Sequence, residues 1–124
     1  MILLVRKIQT VHILNRTKEN AEKLAEVIRT RHPEVTVSVN PPMSEAVPQA
    51  DIIVTATNSH TPLFPGELLP KNKRIHINAV GTYSPDAQEL DEDTMIRSSI
   101  VVDTAAAFES GDITIPLQKG AITH

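Results

Sequence analysis

Within about thirty residues, Val11 to Val39 carries a β-branched run, a segment of helical period and a second β-branched run. Few folds accommodate that order. Val11-His12-Ile13-Leu14 reads as a buried strand, and Val35-Thr36-Val37-Ser38-Val39 alternates like a half-buried or edge strand. Between them Ala21, Leu24, Ala25 and Ile28 recur at helical spacing with charges elsewhere, which predicts a helix over Thr17 to Arg31. Thr17 is the expected N-cap, and Pro33 stops the helix soon after Arg31. The whole has the size of a strand–helix–strand unit.

Three further runs follow in the same style. Ile52-Ile53-Val54-Thr55 is continuous, the pattern of a strand covered on both faces. Ile75-His76-Ile77-Asn78 and Ile100-Val101-Val102-Asp103 each end in a polar residue. Met43 to Val47 is at most a short helical turn, Thr104 to Glu109 a short helix, and Gly111 to His124 shows no strong period. Strands alternating with helices argue for an α/β domain with a doubly wound, mostly parallel sheet, whose ligands bind beyond the carboxyl ends of the strands.

Composition narrows the chemistry. With 124 residues, 40% hydrophobic and 22% charged, the chain is expected to form a single globular domain. Phe64, Tyr83 and Phe108 are its only aromatics, so the core is built from Val, Ile, Leu and Ala. The absence of cysteine excludes disulfides, thiolate catalysis and cysteine-based metal sites. A net charge of −3 gives no electrostatic footprint for nucleic acid. The apolar opening Met1 to Val5 stops at Arg6-Lys7, too short for a membrane span and without the order of a signal peptide. A cytoplasmic setting is expected.

The strand ends hold the candidate site residues. Asn15-Arg16-Thr17-Lys18 follows the first strand and opens a helix. In dinucleotide-binding sheets an acidic residue at such a place meets the ribose 2′-OH of NAD, whereas an arginine accommodates the 2′-phosphate of NADP. A plain helix cap with solvated charges accounts for these residues equally well. Thr55-Ala56-Thr57 ends the most apolar strand in small residues that let a flat ligand approach, or that simply make a turn. Asn78-Ala79-Val80-Gly81 suits a nicotinamide or ribose over the sheet edge, and equally a glycine turn. The five histidines lack metal-ligand spacing, and His12 and His76 are read as structural. Glu89, Asp91, Glu92 and Asp93 read as a solvated acidic loop. No metal site and no G-x-S-x-G elbow are expected.

Taken in order, the strings VHILNRTKENAEKLAE (Val11 to Glu26), ADIIVTAT (Ala50 to Thr57), HINAVGTYSP (His76 to Pro85), ELD (Glu89 to Asp91), VVD (Val101 to Asp103) and ESGD (Glu109 to Asp112) resemble the ornithine cyclodeaminase/μ-crystallin family. The resemblance runs from about Val11 to the C-terminus. It implies a Rossmann-type domain binding NADP or NAD, with amino acids or cyclic imino acids as substrates and hydride transfer at the α-carbon. It also implies that Asn15, Arg16 and Thr17 hold the adenosine-side phosphate. Thr55, Ala56 and Thr57 would line the dinucleotide groove, and Asn78, Val80 and Gly81 would lie near the nicotinamide.

Two departures shape the expectation. Only ten residues precede Val11 and none is glycine, so the family's first strand and glycine-rich loop are expected to be missing and the sheet incomplete. Met1 to Lys7 resembles the tail of the helix after that loop. Tyr83 stands where the cyclodeaminases of the family carry a catalytic aspartate, which favours a ketimine reductase-like parent. No catalytic residue is assigned. The 124 residues alone are expected to show little or no catalysis and to self-associate or pair with the missing N-terminal segment. The alternative is a non-enzymatic remnant or an interaction module that pairs with another subunit.

Overall fold

The computed structural model describes residues 2–123. The chain divides into two compact units, Met1–Ala46 and Val47–His124.

The first unit begins with a single helical turn, α1 (Ile2–Val5). It continues with β1 (Thr10–Ile13), α2 (Lys18–Arg31) and β2 (Thr36–Val39). β1 and β2 pair in parallel, with Thr10 opposite Thr36 and Ile13 opposite Val39. Parallel neighbours need a crossover, and α2 supplies it. Its alanines Ala21 and Ala25 are buried against Ile13, with Val11, Ile28, Val37 and Val39 packed around them. Small side chains let the helix axis approach the sheet. Leu24, expected in this stripe, is instead 50% exposed. It lies three residues from Ala21, at the rim of a stripe that a two-stranded sheet keeps narrow. His12 Nδ1 is 2.6 Å from Ser38 Oγ, its register partner on β2.

α3 (Met43–Gln49) crosses the division between the units and is longer than the single turn expected. Pro48 falls near its end, where a missing N–H costs one hydrogen bond.

The second unit holds β3 (Ile52–Thr55) and β4 (His76–Ala79), again parallel, with Ile52 opposite His76 and Thr55 opposite Ala79. The loop between them contains one 3₁₀ turn, Gly66–Leu68. Helix α4 (Glu92–Ile96), a 3₁₀ segment Ala105–Glu109 and α5 (Gly111–Gln118) complete it. Phe64 bridges to Leu90, and both are buried, as are Leu69, Ala87, Met95 and Ile113.

Three expectations are corrected here. Val54 is 53% exposed, so β3 is not covered on both faces. Ile100 to Asp103 forms no strand, and Val101 is 92% exposed. The segment after Gly111 is helical. Its period was masked by Pro116, which is buried inside α5.

Candidate functional site

In the first unit the end of β1 is fixed by β2. Asn40, in the left-handed region at φ 48°, accepts the Asn15 N–H on its Oδ1 at 2.9 Å and donates its own N–H to Ile13 O at 2.7 Å. Asparagine tolerates that conformation better than most residues. Asn15 Oδ1 in turn accepts the Thr17 N–H at 2.9 Å. Thr17 occupies the N-cap position of α2, but its side chain makes no capping bond. The amides of the helix's first turn are thus left without a side-chain cap from it. Asn15, Arg16 and Thr17 are all exposed at this corner.

In the second unit the strand ends converge. Val80 N–H donates to Thr55 O at 2.9 Å, the last backbone bond of the β3–β4 ladder. One step further the strands are joined by a side chain. Glu89, wholly buried, accepts the Thr57 N–H on Oε1 at 2.5 Å and the Gly81 N–H on Oε2 at 3.1 Å. A Cβ on Gly81 would collide with Thr57 N and O, so the close approach of the two loops demands glycine there. The structure therefore brings Thr55, Ala56 and Thr57 together with Asn78, Val80 and Gly81. It gives Gly81 a packing reason of its own. Asn78 Oδ1 lies 3.0 Å from His76 Nε2, one alternation back along the strand. Thr55 is buried and its Oγ1 has no partner among the described residues.

Behind Glu89 stands Asp112, in the first turn of α5. Its Oδ1 accepts the N–H groups of Glu89 at 2.8 Å and Leu90 at 2.9 Å, and its Oδ2 accepts from Thr82 Oγ1 at 3.1 Å. Burial, reinforced by the neighbouring Glu89, pushes the Asp112 carboxyl above the ordinary range despite those three donors. Asp91 caps α4, accepting Thr94 N–H at 2.9 Å and, on the other oxygen, Gly66 N–H at 2.7 Å. Burial pulls its pKa upward, but the Gly66 and Thr94 donors and the Arg97 charge outweigh that and hold it below the ordinary value. Arg97 also donates to Gly66 O at 2.8 Å and Leu69 O at 2.7 Å, tying the 3₁₀ turn to α4.

These carboxylates correct the expectation of a solvated acidic loop. Glu89 is inaccessible and Asp91 is half-buried, whereas Asp93 is exposed. Asp91 carried a readable signal, an N-cap residue ahead of a helical run ending in Met95-Ile96. Glu89 carried none, because its partners lie 32 and 8 residues away. Among the described residues no group of His, Asp and Glu could hold a metal ion, and no helix is long and apolar enough to cross a membrane.

Two pairs of parallel strands, the first of them joined by a helical crossover, define an incomplete Rossmann-type α/β fold. The pattern of the ornithine cyclodeaminase/mu-crystallin family matches residues 1–123, and the chain belongs to that family. It is 39% identical over 122 residues to a Delta(1)-pyrroline-2-carboxylate reductase of Bacillus cereus, taking in 96% of this chain and 36% of that protein. Against the ketimine reductase mu-crystallin of Macropus fuliginosus the identity is 41% over 107 residues, 85% of this chain and 32% of that protein. Among solved structures, the Delta(1)-pyrroline-2-carboxylate reductase of Thermococcus litoralis, in complex with NADH and L-proline, matches with a TM-score of 0.87 and 32% identity. That match covers 98% of this chain and 37% of the other. The chain thus spans about a third of the length of these relatives.

Proposed function

We infer that this chain forms the dinucleotide-binding part of an NAD(P)-dependent reductase acting on a cyclic imino acid. The observation that carries the reading is the superposition of nearly the whole chain on a reductase solved with NADH and L-proline. Asn15, Arg16 and Thr17 hold the adenosine-side phosphate. The donor chemistry fits: an exposed guanidinium beside a helix N-terminus whose cap side chain makes no bond to it, with no carboxylate among Asn15-Arg16-Thr17-Lys18 to meet a free 2′-OH. That set favours NADP over NAD. Thr55, Ala56 and Thr57 line the groove, and Asn78, Val80 and Gly81 lie beside the nicotinamide.

Bound NAD(P)H supplies a hydride to the imine carbon. This chain's residues bind and orient that cofactor, and none is assigned the substrate carboxylate or the proton transfer. Tyr83, 79% exposed, stands where the cyclodeaminases of the family carry aspartate, which supports reduction over deamination. Substrate, oligomeric assembly and a cytoplasmic setting belong to the same proposal.

The test is a titration of the chain with NADPH and NADH, followed by cofactor fluorescence. Tighter binding of NADPH is expected, and Arg16→Ala should weaken NADPH by about tenfold, the loss of one charge-assisted contact. NADH affinity should barely change. Saturable binding of neither cofactor would overturn the reading, and an unaltered NADPH preference in Arg16→Ala would remove Arg16 from it.

A further inference from the structure

We propose that Glu89 is a positioning residue, a buried staple that holds the tails of β3 and β4 in the one arrangement able to receive the nicotinamide half of a dinucleotide. The ligand clause rests on the reading above; the staple rests on geometry. Thr57 and Gly81 each lie two residues past the last ladder pair, Thr55 and Ala79, so they continue the strand register. At that point no backbone bond joins the strands. The Glu89 carboxylate replaces it, taking one amide on each oxygen. Glu89 is held from behind, since Asp112 accepts its backbone N–H and that of Leu90. Asp112 also accepts from Thr82, the residue after Gly81, and Thr82 Oγ1 lies 2.7 Å from Ser110 Oγ at the entry to α5. The line of contacts runs from α5, through Asp112 and Glu89, to both strand tails.

Two consequences follow. The Thr57 and Gly81 amides are already engaged, so neither N–H is free to meet a ligand. In addition, glutamine cannot replace Glu89, because it has one acceptor oxygen and would turn an NH₂ group toward an N–H. A buried donor facing a donor is costly, and the tail on that side would swing away.

The experiment compares the unaltered chain with Glu89→Gln by amide NMR and by binding of two probes, NADPH and 2′-phospho-AMP. The second probe carries only the adenosine side, assigned to Asn15, Arg16 and Thr17. In the unaltered chain the Thr57 and Gly81 amides should be shifted far downfield and protected from exchange, with and without NADPH. In Glu89→Gln at least one of them should lose both properties. NADPH affinity should fall by about tenfold or more while 2′-phospho-AMP affinity stays within about twofold. A role in general stability alone would remove amide protection throughout the second unit rather than at Thr57 and Gly81, and that result would overturn the positioning role. Retained NADPH affinity with the amide signals lost would overturn it equally. Unprotected Thr57 and Gly81 amides in the unaltered chain would overturn the staple even if Glu89→Gln fails to fold. If the unaltered chain binds neither probe, the dinucleotide reading falls and the ligand clause with it, and the amide signals still decide the staple.

Discussion

At Gly81 a Cβ would run into the backbone of Thr57, and the backbone cannot retreat while Glu89 holds both amides. Gly81→Ala is therefore expected to destabilise the chain by about 1–3 kcal/mol, as overpacking does, read as a lower urea midpoint. Asp91 serves two donors, Gly66 N–H and Thr94 N–H. Asp91→Ala should cost about 1–2 kcal/mol, the upper part of the range for a lost N-cap. The two aspartates also predict opposite pH behaviour. Asp91 is held below the ordinary aspartate value of 3.8, so the unfolded chain takes up its proton first. Its contribution is complete above 3.8 and is lost as the pH falls through the folded value. Asp112 is raised above 3.8, so the folded chain binds that proton more tightly, and stability declines as the pH rises from 3.8 through its raised value. Melting curves from pH 3 to pH 7 check both signs. Asp91→Asn should flatten the acid-side loss, and Asp112→Asn the decline on the other side. A profile unchanged by either substitution would contradict the assignment.

Among the elements, β1, α2 and β2 were legible because apolar period and β-branched runs are local signals, and the structure moves their ends by only a residue. The same reasoning missed α5, whose Gly, Thr and Pro residues break helical period while Ile113 and Pro116 are buried. It placed a strand at Ile100 to Asp103 because an apolar run carries no mark of whether a neighbour will pair with it. It also mistook Leu24 for core. Ala25 is fully buried and Leu24 half-exposed, so the helix packs through its smallest residues. Ala25→Leu should then cost about 1–3 kcal/mol, whereas Leu24→Ala should cost less than about 1 kcal/mol. Urea unfolding of the two variants measures the contrast, and equal effects would mean that α2 faces β1 differently.

Across the whole molecule, the candidate site was legible at the level of strand ends and not at the level of what fixes them. Asn15, Arg16 and Thr17, and the Thr55 to Thr57 and Asn78 to Gly81 strings, could be read off because polar residues closing apolar runs mark strand ends in an α/β sheet. The staple of Glu89 and its support by Asp112 link residues 22 to 32 positions apart, and no local pattern announces such a link. Family membership covers residues 1–123, while the matched relatives are nearly three times as long. What is proposed for these residues is accordingly limited to binding a dinucleotide.

Thermal unfolding of the chain by far-UV circular dichroism, with NADPH, with NADH and without cofactor, tests this most directly. At a concentration about a hundredfold above its dissociation constant, a ligand that binds only the folded state adds about 2.7 kcal/mol. A cooperative transition that rises by several degrees with NADPH, by less with NADH, and by no more with NADPH than with NADH in Arg16→Ala is the predicted result. A cooperative transition that neither cofactor moves would contradict the assignment of these strand ends to a dinucleotide.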